Sequence, residues 1–378
     1  MSKELKLNQI GCNNCGAEIL FDPGTQMSNC NFCGSTFEIE KAIEVGVIQP
    51  DSVLPFTVVK SQYNEKVLEW LSEGDYTPDD ILVGSQFTSI NGLYLPMYLY
   101  KGKYSGNWSA SSGYDRTEYY TVYNESSKKM EKRSRTVTDW RPSNGQVQGR
   151  YSLLGFAGGV NKINDEIVNY AHGTSFERGD IKNYNVKYTQ GFSLLEYESD
   201  HLDTWDNYGQ SQGELIVEND SKKRIPGDRY KDFFCDVMID QEGEPVKVYI
   251  PFWVTYYDYN GKSFHVHMDG TSTTRINGVR PEDEERKKEV DKKFYKGHFG
   301  CLTTIILFCI TAFGIESWDP LYDDMMNVII GSTLITLVLY GIGQYQKNKI
   351  INKSKMKRQE LLKQTKENQG MIENDNKN

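Results

Sequence analysis

The chain has 378 residues, a net charge of −9 and 12% aromatic side chains. That length suits two or three domains. The acidic balance argues against broad nucleic-acid binding, which needs clustered Lys and Arg to meet phosphate. The opening Met1-Ser2-Lys3-Glu4-Leu5-Lys6 has no apolar core, so no signal peptide is expected. Of the seven cysteines, four fall in one pattern near the start, Cys301 and Cys309 lie in an apolar run, and Cys235 stands alone. This distribution does not resemble a disulfide framework.

Cys12-Asn13-Asn14-Cys15-Gly16 and Cys30-Asn31-Phe32-Cys33-Gly34 give the spacing C-x2-C-x14-C-x2-C. Each C-x-x-C turn offers two thiolates to one ion, and the glycine lets the backbone fold beneath the sulfurs. Four thiolates close a tetrahedral site, which suits structural Zn²⁺ and leaves no position for a reacting water. Ala17–Asp22 reads as a strand, Pro23-Gly24 as a turn and Thr36–Ile39 as a closing strand, the pattern of a zinc ribbon over residues 1–45. A redox dithiol and an iron–sulfur site are the competing readings.

An α+β region is expected over residues 46–280. Ser61–Leu71 has a cap and helical apolar spacing. Asn91-Gly92 between alternating runs marks a hairpin. Lys128–Arg135 reads as an exposed loop. Tyr94-Leu95-Pro96-Met97-Tyr98 returns as Tyr249-Ile250-Pro251-Phe252-Trp253. This points to two related antiparallel units, about 50–150 and 151–280, or to two unrelated strands of like pattern. In such strands proline belongs at an edge or bulge. Phe192–Tyr197 reads as a strand, and Arg229–Met238 is ambiguous between helix and strand. A second hairpin turns at Asn260-Gly261 and returns through His265 and His267. Those two histidines share a strand face and suit a packed or exposed pair better than a ligand set. Gly261-Lys262-Ser263 lacks the glycine a phosphate loop needs, since Tyr256 stands in its place. No catalytic motif of hydrolase or metalloprotease type is present.

Residues 281–297 form a charged helical stalk by pattern. Two uncharged apolar runs follow within 298–345, Phe299–Ile315 and Asn327–Tyr345, split by Glu316–Asp324. Each approaches the length that crosses a bilayer, so a two-helix transmembrane hairpin is expected, with a pair of buried core helices as the plainer reading. Basic residues flank the hairpin (Arg286–Lys296 before, Lys347–Arg358 after) and none lies in its turn, which places both termini in the cytoplasm and the anchor in the plasma membrane. The tail, 346–378, is basic and polar, and past Gln364 it reads as disordered.

The C-x-x-C-G pair around Phe21-Asp22-Pro23, the segment Ile250–Trp253, the Tyr257–Lys262 hairpin and Asn277–Pro281 before the apolar runs resemble bacterial membrane-anchored TFIIB-type, or primosomal-protein-N′-like, zinc-ribbon proteins. The resemblance spans most of the chain, strongest at both ends and weak across about 110–190. It implies partners such as phage-shock-protein A-like and SPFH-domain proteins, together with the lipid bilayer. Met268-Asp269-Gly270-Thr271 departs from residues such proteins often carry there, which withholds finer function. The expected fold class is thus α+β multidomain: N-terminal zinc ribbon, repeated antiparallel α+β region and C-terminal transmembrane hairpin. The expected function is a non-enzymatic membrane-anchored adaptor, with structural Zn²⁺ on Cys12, Cys15, Cys30 and Cys33. A membrane-tethered nucleic-acid-binding regulator is the alternative.

Overall fold

The computed structural model describes residues 4–12, 18–21, 43–124, 128–159, 163–177, 179–293 and 322–375. They form two compact units: Met1–Val67, Gln86–Glu118 and Ser134–Val279 in the first, and Leu68–Ser85, Tyr119–Arg133 and Arg280–Asn378 in the second.

The first unit is built on one mixed sheet. Strands β1 (Glu4–Gly11), β2 (Glu18–Phe21) and β3 (Ile43–Ile48) make an antiparallel group with β1 in the middle. The two-residue strand β4 (Ser52–Val53) precedes helix α1 (Lys60–Glu73), which matches the expected amphipathic helix; the short helix α2 (Ile81–Gly84) that follows belongs to the second unit. Strand β5 (Gln86–Asn124) then runs for 39 residues and returns as β6 (Lys129–Phe156). After helix α3 (Asp165–His172) come the two-residue strands β7 (Lys182–Asn183) and β8 (Ser193–Leu194). Helix α4 (His201–Thr204) continues through a π-helical turn into α5 (Gln210–Lys222). Strands β9 (Arg229–Gln241), β10 (Val246–Tyr259), β11 (Lys262–Asp269) and β12 (Ile276–Gly278) complete the sheet. Its main order is β12-β11-β10-β5-β8-β2-β1-β3, with β6 and β9 also on β5 and β4 on β10.

The paired motifs of the sequence meet each other here. Tyr249 lies opposite Pro96 and Pro251 opposite Tyr94 across the β5–β10 ladder. The two copies are thus neighbouring strands of one sheet. Both prolines sit inside long strands, against the expectation of an edge or bulge, because each marks a seam. Beside Pro96 the outer neighbour of β5 changes from β6, whose end gives Ala157 N–H to the Pro96 carbonyl at 2.9 Å, to β8, paired with Leu93 and Tyr94. Beside Pro251 the neighbour of β10 changes from β4, paired with Val248 and Tyr249, to β11, paired from Phe252 onward. At a seam no N–H is called for, so proline costs nothing.

The expected turn at Asn91-Gly92 is corrected: both residues lie in the ladder, opposite Val254 and Trp253. Gly92 serves packing. A Cβ there would meet the Phe192 ring at 2.3 Å. Asn260-Gly261 does turn, with φ of 49° and 73°, the left-handed pair of a tight β10–β11 hairpin. The odd residues Leu93, Leu95, Met97 and Leu99 of β5 pack with Ile250, Phe252, Val254 and α3. The even ones, Tyr94, Tyr98 and Tyr100, pack with Tyr249, Tyr151, Tyr197 and the β1–β3 group.

The second unit holds a helix α6 over 284–293 and the 54-residue helix α7 (Tyr322–Asp375). Here the transmembrane hairpin is corrected. Among the described residues no helix is long and apolar enough to cross a membrane. The run Phe299–Ile315 lies outside the described residues, and Asn327–Tyr345 is one stretch of α7, interrupted in composition by Gly331, Ser332, Thr333, Thr336, Gly341 and Gly343. The plasma-membrane assignment and its orientation fall with the hairpin. Two of the cations read as a cytoplasmic flank have another use, Lys355 pairing with Asp75 at 2.6 Å and Lys357 with Asp79 at 3.3 Å; farther along α7, Lys366 pairs with Glu69 at 2.9 Å. The tail is helical to Asp375, where disorder was expected past Gln364. The metal-bearing part of the fold class is corrected as well: among the described residues no three His, Cys, Asp or Glu gather to hold an ion. Of the four thiols only Cys12 lies within that set.

Arg358 fixes α7 in this unit. Its side chain is fully buried. Nε donates to the Ser72 carbonyl at 2.9 Å, Nη1 to Thr77 O at 2.6 Å, and Nη2 to Gly74 O. Ser72 and Gly74 lie at the C-terminal end of α1, where carbonyls lack helical partners and the dipole favours a cation. Burial lowers the guanidinium to about 10, still protonated at neutral pH. Burial alone would raise the Asp79 carboxyl beside it, but the Ser354 hydroxyl and Arg286 draw it below its ordinary value. Arg358→Met should therefore strand the Ser72 and Gly74 carbonyls, while Thr77 O keeps its bond from Arg286 at 2.7 Å, and cost about 3 kcal/mol in chemical denaturation. It should also open 346–375 to protease, and Arg358→Lys should not restore the fork. An unchanged denaturation midpoint would remove this role.

Candidate functional site

Beyond Lys101 the strands β5, β6 and β9 form a three-stranded extension of the sheet, and strict alternation gives it two unlike faces. On the inner face Trp108 and Ala110 of β5, Val147 of β6 and Val217 of α5 make a core, backed by Phe233, Cys235, Val237 and Ile239 of β9. Gly213 lets α5 approach closely, since a Cβ there would meet Ile239 at 2.7 Å.

The outer face carries Lys103, Ser105, Asn107 and Ser109 from β5, all exposed. Asn144, Gln146, Gln148 and Arg150 of β6 are exposed beside them. From β9 come Asp240, Met238, Asp236 and Phe234, paired in register with Lys103, Ser105, Asn107 and Ser109. Phe234 is 66% and Met238 70% exposed, high for such large apolar groups. An open hollow of about 460 Å³ runs between Lys103, Gln148, Arg150, Met238 and Asp240. At its rim Glu242 accepts from Lys103 at 3.0 Å and from Arg150; the Lys103 hydrogen bond, then the Arg150 charge, holds its carboxyl below the usual range. The combination is amides, hydroxyls and a few projecting apolar groups. It has the make-up of a contact surface.

The sequence-predicted thiols are placed only in part. Cys12 follows the last residue of β1 and is buried, at the end of a hairpin whose strands pair Gly11 with Glu18. Cys15, Cys30 and Cys33 lie outside the described residues. Cys235 faces the inner core, 3.4 Å from the Ser221 hydroxyl.

His265 and His267 do share a strand face, and both are packed, with rings 5.7 Å apart. His267 is fully buried, edge-on to the Tyr170 ring at 4.8 Å, and neither nitrogen has a hydrogen bond. Glu166 lies 3.2 Å from His265 Nε2 without hydrogen-bond alignment. Arg275 stacks over Tyr170 at 4.3 Å and pairs with the buried Asp269 at 3.1 Å. His172 accepts the Phe156 N–H on Nε2 at 3.2 Å, so its proton rests on Nδ1. The outer face was missed by sequence reasoning. Its only sequence signal was the alternation Asp232-Phe233-Phe234-Cys235-Asp236-Val237-Met238, which suits a strand better than a helix.

Set against known proteins, the chain matches no family model, no curated protein and no solved structure.

Burial lowers both His267 and His172 from 6.5 to about 4, with His265 and Arg275 adding to the effect at His267. A depressed histidine means the unfolded chain binds the proton more readily than the fold. Stability is therefore full above pH 6.5 and falls as pH drops toward 4. For His267 the loss should reach roughly 3 kcal/mol at the acid end. Urea midpoints measured from pH 7 to pH 5 should fall less in His267→Phe than in the parent chain. Parallel curves would show that this imidazole is not held neutral.

Proposed function

We propose that this chain is a non-enzymatic adaptor that binds protein partners through the outer face of the β6–β5–β9 sheet. The observation that supports the reading is the contrast between the two sides of that sheet. One side is filled by α5 and an apolar core, while the other leaves Phe234 and Met238 standing among Ser, Asn and Gln. Exposed apolar side chains cost little until a partner covers them. They then supply most of the binding free energy, while amides around them fix orientation.

The thiols support a structural part in the same reading. Cys12, Cys15, Cys30 and Cys33 would hold one Zn²⁺, whose closed thiolate coordination would add folding free energy to the β1–β3 group. Cys30→Ser should then release zinc, read by atomic absorption, and expose residues 1–48 to protease. One zinc per chain retained in that variant would end the assignment.

For the contact face, a photo-crosslinking amino acid placed at Asn107 should yield discrete protein adducts in cells. The same group at Val186, exposed elsewhere on the first unit, should yield none. Equal adducts from both positions, or none from either, would count against the adaptor.

A further inference from the structure

Strand β9 pairs with β5 along one side, and among the described residues no strand pairs with its other side. From Phe234 to Gln241 this leaves a free row of N–H and C=O groups. Such a row is a template for an added strand. Asp232, with φ of 52°, lies beside a register shift between Ser109 and Ser111, and this bulge ends the regular edge on that side. Strand β6, the opposite border, is interrupted by Pro142, which offers no N–H.

Between the bulge and Gln241 the outward side chains of β9 alternate, apolar at Phe234 and Met238 and acidic at Asp236 and Asp240, and all four are exposed. Tyr230, opposite the buried Ser112, falls on the other face. Asp236 and Asp240 have no ion pair within the described residues, since the Lys103 ammonium beside Asp240 is engaged with Glu242. This pattern selects among occupants. If β9 paired antiparallel with a second copy and kept both outer faces on one side, two kinds of register would be available. One sets Asp against Asp and the other sets every Asp against an apolar group. Like charges directly opposite destabilise, and an acid opposite an apolar group gains nothing. A strand carrying cations at every fourth position satisfies the acids and lays apolar groups on Phe234 and Met238.

We propose that the free edge of β9 receives an extended, basic segment of a partner protein as an added strand, with Lys or Arg every fourth residue and an apolar residue midway between. This rests on the adaptor reading and gives it a recognition rule. Backbone hydrogen bonds supply affinity, and the alternating side chains supply specificity.

The test uses the full chain and a fluorescent peptide, Thr-Lys-Thr-Leu-Thr-Lys-Thr-Leu-Thr, read by anisotropy. Saturable binding is expected, weakened about tenfold by Asp236→Lys with Asp240→Lys. It should be abolished when alternate amides of the peptide, those that would face β9, are N-methylated. Both substitutions lie on exposed positions, so the fold should survive them, which circular dichroism checks. No saturable binding, equal affinity for a scrambled peptide of the same composition, or indifference to N-methylation overturns strand addition. If that happens while the Asn107 crosslink persists, the adaptor stands and only the edge is wrong. If the crosslink is absent as well, both fail together.

Discussion

The first unit depends on a set of tyrosine hydroxyls that hold down a segment with almost no regular structure of its own. Between Tyr184 and His201 the chain has one short 3-10 turn and the two-residue strand β8, so most of its carbonyls lack ladder partners. Tyr94 donates to Tyr188 O at 3.0 Å, Tyr98 to Ser199 O at 3.2 Å, Tyr100 to His201 O at 2.7 Å and Tyr249 to Leu195 O at 3.1 Å. Tyr197 returns the favour to Met97 O at 3.4 Å. An unpaired carbonyl in such a place costs as much as a lost hydrogen bond, so these donors let an irregular segment lie inside a core. Burial pushes the Tyr94 and Tyr100 hydroxyls far above their ordinary range, so they remain donors at any ordinary pH. The rings meanwhile pack at 5.2 to 6.2 Å against one another and against Phe56, Phe192, His201 and Trp205. One residue type thus supplies both apolar area and the donor the backbone lacks.

This constraint also explains what could be read in advance. Short-range signals translated well: Lys60–Glu73 is helical, and Asn260-Gly261 turns with both residues in the left-handed region. The recurring Tyr-φ-Pro-φ-aromatic pattern was visible, but its meaning was not. It belongs to two strands that face each other, and the prolines mark where a neighbour strand ends, a fact about distant chain segments. Gly92 looked like half of a turn and is there because the Phe192 ring leaves no room for a Cβ. Local chemistry cannot distinguish those two uses of glycine. At the candidate site, alternation along 229–241 hinted at a strand, yet which face stays uncovered was decided by α5, docked on the other side through Val217 and Gly213.

The second unit shows the same limit for charge. Six basic residues after an apolar run read as a topogenic flank when only spacing is known. In the fold, four cations of α7 meet Glu69, Asp75, Asp79 and the carbonyls that close α1. Acids and carbonyls almost 300 positions earlier are invisible to a rule that counts cations near apolar runs. Surface pairs such as Lys357–Asp79 contribute little individually. Arg358 differs because its guanidinium is enclosed and its hydrogen bonds go to fixed carbonyls and the Ser354 hydroxyl, with the Asp79 carboxylate 3.7 Å away. Its removal leaves unsatisfied groups where the solvated pairs would leave water.

The uncovered face of β6–β5–β9 follows from composition once the alternation is in place. The inner positions of β5 between 102 and 112 are Gly, Tyr, Gly, Trp, Ala and Ser, with glycines admitting the rings of opposing strands: Gly145 meets Trp108 and Gly149 meets Tyr104. That interdigitation uses the large side chains on one side only. The outer positions are then free to be polar, and on β5 and β6 they are. On β9 they are not, since Phe234 and Met238 break the pattern where folding gains nothing from them. Folding alone would be served equally well by serine at either position. An apolar side chain that the fold does not bury, on a strand whose edge is open and whose alternate positions carry one sign of charge, has its physical use outside the chain.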